Sequence, residues 1–485
     1  MLPVRLPFFL PRLVWPLLLW AAAPLAQAGV LGPELQRAMA LRGTHAETPV
    51  IVRFANPPPL QELAVVDRHQ RNSRLLLALR GATAQRHAAL LPWLQEHQAT
   101  QIQALWIIHA VAASVPAHVV QQLAQQPGVA RVDLDSFVQG ARPQRLPPAR
   151  APLQADAPAA QAAPAAQAVP SEPLATPSAA SAGWNIRAVQ APALWALGHS
   201  GRGVVLASMD SGVDAAHPAL RQQWRGGSNS WFDPHGEQAT PYDASGHGTQ
   251  TLGVMLGSQG MGVAPQARWI AARLYNGNGR AAMRDIHRVF QWLLDPDGDP
   301  ATADAPDIVN ASWALGGRAT GSCVLEFADD ILALKAAGMA VVFAAGNDGP
   351  RPGSSSSPGN NPGVLSVGAV DSRLELARQS SRGPSACSES VFPSLLAPGV
   401  QVSTADLSHG GQPSLTSASG SSLAAPHVAG VLALLMGAYP AASVAELEAA
   451  LLGSAPPGAP LANPQPVLLD ALAAFLRLQR TQATR

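Results

Sequence analysis

The chain has 485 residues, 42 of them glycine and 45 proline, with only 13% charged and a formal net charge of +1. That much turn chemistry excludes a coiled coil or a long helical rod, and the near-neutral charge lacks the electrostatic footprint of a nucleic-acid binder. Apolar residues make up 47% of the chain, enough for a large core, and the length suits about two to four domains.

The first residues are basic, then apolar, then small. Arg5 and Arg12 flank and interrupt an apolar stretch, Leu13 to Ala23 is almost wholly apolar, and Ala26-Gln27-Ala28 follows. This order reads as a cleaved export signal over 1–28. A retained anchor is the alternative, but Pro16 and Pro24 cut any continuous helix below spanning length. No later run is long enough to span a bilayer. The expectation is a secreted or periplasmic protein with no membrane partner.

Residues 29–140 have a mixed texture. Pro49 to Phe54 is strand-like by its β-branched content, Arg74 to Leu94 is rich in helix formers, Ala117 to Gln126 reads as a helix, and Val129 to Leu134 as a closing strand. Strands alternating with helices predict a small α+β module. Residues 141–183 are dominated by alanine and proline, which bury little; they read as a linker open to proteolytic nicking. From 184 to 485, short apolar runs at Val204–Met209, Trp269–Ala272, Asp307–Asn310, Ala340–Ala345 and Val364–Val370 alternate with helical patterns. Continuous apolar strands separated by helices predict an α/β domain of three layers, with a central parallel sheet covered on both faces.

Cys323 and Cys387 are too few for a disulfide scaffold or a zinc cluster. In an oxidising compartment they either pair or remain two buried thiols, and a bridge would close a loop whose entropy is worth about 4 kcal/mol.

Sites on open parallel sheets form where strands end at their carboxyl edge. Asp210 ends the first apolar run, in Asp210-Ser211-Gly212, although an aspartate there can also simply cap a helix. Ser245-Gly246-His247-Gly248-Thr249 follows. A histidine between two glycines makes sense if the backbone packs close while the imidazole faces a cleft. Ser419-Gly420-Ser421-Ser422-Leu423-Ala424-Ala425-Pro426-His427 opens a stretch that is apolar on every side, hence a buried helix. Pro426 is expected in its first turn. Ser422 then lies at the positive end of that helix, which favours an alkoxide or oxyanion. His427, five positions on and about 140° around the helix, cannot serve as its base. His217, before Pro218, is read as a packing residue. An acid, a base and a nucleophile in this order suit acyl transfer.

Asp-Ser-Gly, Gly-His-Gly-Thr and Gly-Ser-Ser-Leu-Ala-x-Pro-His resemble the three active-site signatures of the subtilisin-like serine peptidases, the subtilases, and Trp313 points to the bacillopeptidase F-like branch. The resemblance runs from about Trp184 to Ala474. It implies Ser422 as nucleophile, His247 as general base and Asp210 as the carboxylate that orients it. Asn347, in Ala344-Ala345-Gly346-Asn347, resembles the family's oxyanion-hole asparagine. Ser312, Trp313, Ala314 and Gly346 resemble its substrate-binding positions, with alanine at 314 where glycine is common, and Gly277-Asn278-Gly279 is the candidate for the opposite substrate edge. Leu423 stands where the family commonly has methionine, which predicts tolerance to oxidants.

The 29–140 module resembles a subtilase propeptide, which assists folding, covers the cleft and is cut away. The resemblance therefore implies an exported serine endopeptidase made as a zymogen. Its partners would be protein or peptide substrates and its own propeptide as intramolecular inhibitor, with no nucleic acid, and the chain would be a monomer. No cofactor or metal is required for this chemistry. Subtilases often bind structural calcium, but no ligand set is assigned; Asp295-Pro296-Asp297-Gly298-Asp299 lacks the EF-hand register and reads as a solvated acidic turn. Two rivals remain. One is a catalytically silent homologue that only binds peptides. The other is a lipase-like α/β-hydrolase, in which the serine would precede the acid and histidine.

Overall fold

A computed structural model describes residues 29–41, 46–60, 68–140, 177–408, 412–454 and 465–483. The expected export signal and residues 141–176 of the expected linker lie outside them.

The N-terminal module runs β1 (Val30–Leu31), α1 (Pro33–Leu41), β2 (Glu47–Phe54), α2 (Arg68–Glu96), β3 (Thr100–Leu105), β4 (Ala110–Pro116), α3 (Val120–Ala124), β5 (Val129–Leu134) and β6 (Phe137–Gln139). Its sheet has the order β1-β5-β2-β4-β3 and is antiparallel except for the β1–β5 pair. The alternation of β2 supplies both faces: Val50 and Val52 pack into the module's own core, while Ile51 faces the larger body.

The larger body begins with α4 (Trp184–Ala188) and α5 (Ala191–Ala196), then β7 (Val205–Asp210), β8 (Trp231–Phe232), α6 (His247–Leu256), β9 (Arg268–Arg273), β10 (Arg280–Ala282) and α7 (Met283–Leu294). It continues through β11 (Ile308–Ala311), α8 (Ala328–Ala336), β12 (Ala340–Ala344), β13 (Leu365–Val370), β14 (Leu395–Pro398), β15 (Val402–Ala405) and β16 (Leu415–Ala418). It closes with α9 (Ser421–Ala438), α10 (Val444–Leu452), β17 (Val467–Leu468) and α11 (Ala471–Ala483). An eight-stranded parallel sheet of order β17-β14-β13-β12-β11-β7-β9-β8 forms its centre.

Both faces of the sheet are covered, which is why its strands read as unbroken apolar runs. Leu206 and Val342 pack with α5, α6, α9, α10 and α11 on one face; Ala207, Val341 and Phe343 pack with α7 and α8 on the other. Against the expectation that no run after the signal is long enough to span a bilayer, helix α9 is long and apolar enough to cross one by length and composition; it is apolar all round because it is a core helix, buried along most of its length. Ahead of α4, Ser178–Ser181 form a short turn, and Gly183 N–H donates to Gly260 O at 3.3 Å. Cys323 and Cys387 form a disulfide that joins the segment before α8 to the loop after β13.

The sheet order reverses around β7: β9 follows on one side and β11 lies on the other. The carboxyl ends of β7 and β11 flank this switch point, where a doubly wound sheet opens a crevice.

Candidate active site

Asp210 is the last residue of β7 and is buried at that crevice. Its Oδ1 accepts from Ser211 N–H at 2.7 Å and faces His247 Nδ1 at 2.7 Å. His247 is the first residue of α6. The two glycine signatures explain the short approach. A Cβ on Gly248 would stand 2.0 Å from Gly212 O, and one on Gly212 would stand 1.9 Å from Tyr242 O. A side chain at Gly248 would push α6 away from the end of β7, and one at Gly212 would push away the loop that leads into α6.

With Asp210 on Nδ1, the tautomer that keeps the proton there leaves Nε2 as the basic nitrogen. Burial works against a charged ring, but Asp210 and then Asp243 outweigh it and raise the His247 pKa above its ordinary value.

Ser422 is the second residue of α9, in a buried first turn. Pro426 lies in the second turn rather than the first, because the helix begins at Ser421. Its missing N–H leaves Ser422 O without the usual i+4 donor, and Ser312 Oγ takes that place at 2.9 Å. Asn310 Nδ2 in turn donates to Ser312 Oγ at 2.9 Å. The proline thus ties the Ser422 backbone to the end of β11.

Asn347 follows β12. Its Oδ1 accepts from Ser421 N–H at 2.9 Å. Ser422 Oγ and Asn347 Nδ2 lie 3.0 and 3.3 Å from the point where a Cβ on Gly420 would stand. The hydroxyl and the amide therefore converge on one small space. Gly346 N–H donates to Ser421 Oγ at 3.1 Å. The hydrogen bonds made by the described residues include none between Ser422 Oγ and His247 Nε2.

The expected substrate positions divide. Trp313 borders a cleft of about 200 Å³ with Ser312, Asp210, His247, Tyr275, Gly277, Asn278 and Gly279. Its ring nevertheless turns into the core, edge-on to Phe327 and Phe343 at 5.6 and 5.4 Å. Ala314 is half-buried beyond the strand end. Gln139 and Gly140 of the N-terminal module line the same cleft, because β6 pairs antiparallel with β10 and Gly140 N–H donates to Gly279 O at 2.9 Å.

The other histidines have structural partners. His427 is buried, with Nδ1 against Leu423 O at 2.8 Å and Nε2 against Asn185 Nδ2 at 2.9 Å. Burial pushes its pKa down to about 4. His217 accepts from Ala219 N–H and reaches Ser414 O with its other nitrogen.

The acidic turn is not wholly solvated as expected. Asp295 is buried and bonded to Arg80 of the N-terminal module. Asp295, Asp297 and Asp304 bring carboxylate oxygens within 4.8 Å of one another, but with Arg80 already on Asp295 this set does not fit a dedicated calcium site.

Sequence reasoning missed Asp243. It sits four positions before His247, and its buried carboxylate collects hydrogen bonds from both sides of the Asp210–His247 pair. An aspartate shortly before a helix is so common a cap that nothing in the sequence marks it out.

A family model described as the subtilase family matches residues 201–474. The chain belongs to the subtilase family. Bacillopeptidase F of Bacillus subtilis is 32% identical over 424 residues, covering 81% of this chain and 27% of that protein. Subtilisin E of Bacillus subtilis is 33% identical over 270 residues, covering 54% of this chain and 63% of that protein. Subtilisin of Bacillus pumilus is 33% identical over 270 residues, covering 54% and 87%. The chain thus spans about a quarter of the length of bacillopeptidase F and less than two thirds of subtilisin E. The bacillopeptidase F match covers a larger share of this subtilase than residues 184–485 can fill, so it reaches into the N-terminal part.

Proposed function

We propose that the chain is a secreted or periplasmic serine endopeptidase made as a zymogen, with Asp210, His247 and Ser422 as its catalytic triad. The observation that carries this reading is the Asp210–His247 contact at 2.7 Å, at the crevice where Ser422 and Asn347 also converge.

In the proposed reaction, His247 Nε2 takes the Ser422 hydroxyl proton as Oγ attacks the scissile carbonyl. Asp210 holds the ring and stabilises the imidazolium without taking the proton. Asn347 Nδ2 and the Ser422 N–H receive the oxyanion. The proton then passes to the leaving amine, and an acyl-enzyme remains until water clears it. A hydrogen bond between serine and histidine is often long in a free enzyme and tightens on binding, so its absence here is compatible with this role.

The zymogen part of the reading is supported by β6. It lies against β10 as an added strand, the way an extended peptide binds through its main chain, and leads into the cleft beside His247. The substrates are accordingly extended segments of protein or peptide. No resident cofactor is part of the proposal.

The test is expression of the full chain with and without Ser422→Ala. The expected outcome is that the unsubstituted chain cleaves an unfolded protein and loses its N-terminal module, while the variant stays whole and inactive. Equal cleavage by the variant would refute the nucleophile. An active preparation whose N-terminal sequence still began at Gly29 would refute the zymogen.

A further inference from the structure

We infer that Asp243 is a positioning residue of this site, whose buried carboxylate clamps the backbones bearing Asp210 and His247 and stabilises the imidazolium formed during turnover. The inference rests on the serine peptidase reading above.

The geometry carries the clamp. Asp243 Oδ1 accepts from Ser211 Oγ at 2.9 Å, Ser245 N–H at 3.0 Å and Gly246 N–H at 2.9 Å. Its Oδ2 accepts from Thr249 N–H at 3.0 Å and Thr249 Oγ1 at 2.8 Å. Ser211 adjoins Asp210, and the other donors bracket His247 on both sides. A second link closes the loop, because Gly248 N–H donates to Ser211 Oγ at 2.9 Å. One carboxylate therefore fixes the end of β7 to the start of α6, and so fixes the angle at which imidazole meets acid.

The charge needs a separate reason. Asp243 is only 5% exposed, and no cation pairs with it among the described residues. A buried anion held only by neutral donors is costly. It becomes useful if a positive charge appears nearby during the reaction, and His247 acquires one.

The groups around His247 agree with this. Asp210 faces it from β7 and Asp243 from the loop before α6. Arg273, at the end of β9, also lines the cleft, but its charge is taken by Asp233 and Glu237 at 3.1 and 2.9 Å. Tyr275 lines it too and stays neutral, because burial and Asp210 raise its pKa. Asp406 lies beside Gly246 and bonds Gln250 Nε2 and Leu407 N–H. Asp243 is the anion after Asp210 that raises the His247 pKa against the effect of burial.

The test uses Asp243→Asn and Ser211→Ala in the full chain, each also combined with Ser422→Ala. Asp243→Asn is expected to lower kcat by about tenfold or more with KM within about twofold. It should also move the acid limb of kcat/KM to lower pH by about half a unit or more, because the ring loses a stabilising anion. The His247 ring signal, titrated by NMR in the Ser422→Ala protein, should shift the same way. Ser211→Ala keeps the Asp243 charge and cuts both links made through Ser211 Oγ, to Asp243 and from Gly248 N–H, so it should lower kcat and leave the limb in place. A folded Asp243→Asn protein with an unmoved limb and an unmoved ring titration would overturn the inference. If Asp243→Asn does not fold, Ser211→Ala decides alone: an unchanged kcat refutes the clamp. The ring titration is read in a protein without the nucleophile. Residual activity of Ser422→Ala would therefore refute the peptidase reading and leave this readout standing.

Discussion

Asn347 uses its amide in two directions. Its oxygen is held by Ser421 N–H, so the nitrogen is the half left for the space shared with Ser422 Oγ and Gly420. The proposed oxyanion thus meets a donor whose orientation is set before substrate arrives, and a preorganised donor needs no rearrangement during the reaction. Asn347→Ala is expected to lower kcat by about a hundredfold to a thousandfold with little change in KM, the size of effect known for loss of this donor in subtilisin. Asn347→Asp keeps the acceptor for Ser421 N–H but aims a second oxygen at the developing negative charge, so it should be no better than alanine. Steady-state kinetics on a chromogenic peptide, normalised by active-site titration, measures both. A loss smaller than about tenfold for Asn347→Ala would remove Asn347 from the oxyanion hole.

The pairing of β6 with β10 carries its own specificity. A Cβ on Gly140 would lie 3.1 to 3.2 Å from three ring atoms of Tyr275, closer than a side chain tolerates without movement of the ring. If β6 follows the path of a substrate, the peptide residue that takes Gly140's place should be glycine or another small residue. Tyr275→Ala is then expected to speed cleavage of peptides with a leucine or phenylalanine there relative to glycine, as read by mass analysis of a peptide library. An unchanged preference would separate β6 from the substrate path. The sequence already contained β7, β9, β11, β12 and β13, because burial on two faces makes them unbroken apolar runs. It did not contain β8 or β17, two-residue strands too short for any periodicity to register. The start of α9 was displaced because proline usually sits near a helix N-terminus, whereas Pro426 sits one turn further in, where its missing N–H frees Ser422 O for Ser312. Asp210, His247 and Ser422 were legible as candidates from their glycine-rich surroundings at strand and helix ends, while Asn347 and the candidate roles of all four rested on the resemblance to the subtilase signatures. Asp243 was not legible, since its role depends on the register of two elements that only folding brings together.

The two bodies of the molecule meet in one shared hydrophobic cluster, beside the separate core that each keeps for itself. Ile51, Leu75, Leu79 and Ile107 of the N-terminal module pack with Ile286, Phe290, Phe327 and Ile331 of α7, α8 and the segment before α8. Polar links surround this contact: Asn72 Nδ2 donates to Leu294 O at 3.1 Å, Ile107 N–H to Gln291 Oε1 at 3.4 Å, and Arg53 pairs with Glu326 at 2.8 Å. Behind Arg53 stands His287 of α7, fully buried, with Nδ1 2.9 Å from Asp330 and Nε2 3.1 Å from Glu326. Carboxylates on both nitrogens require both to be protonated. Burial opposes that charge, but Asp330 and Glu326 prevail and the His287 pKa is pushed up from 6.5 to about 9. A histidine whose pKa rises on folding contributes stability that is complete below pH 6.5 and is lost as pH rises through about 9. His287→Gln removes the cation and leaves two buried carboxylates facing a neutral amide, a change expected to destabilise by about 3–5 kcal/mol at neutral pH. Denaturant unfolding of the full chain in the Ser422→Ala background, which prevents self-cleavage, measures this. The parent should lose stability between pH 7 and 9.5, and the His287→Gln variant should show a clearly smaller slope over that interval. Equal slopes in the two proteins would mean that His287 is neutral in the folded state and that another group carries the charge between Asp330 and Glu326.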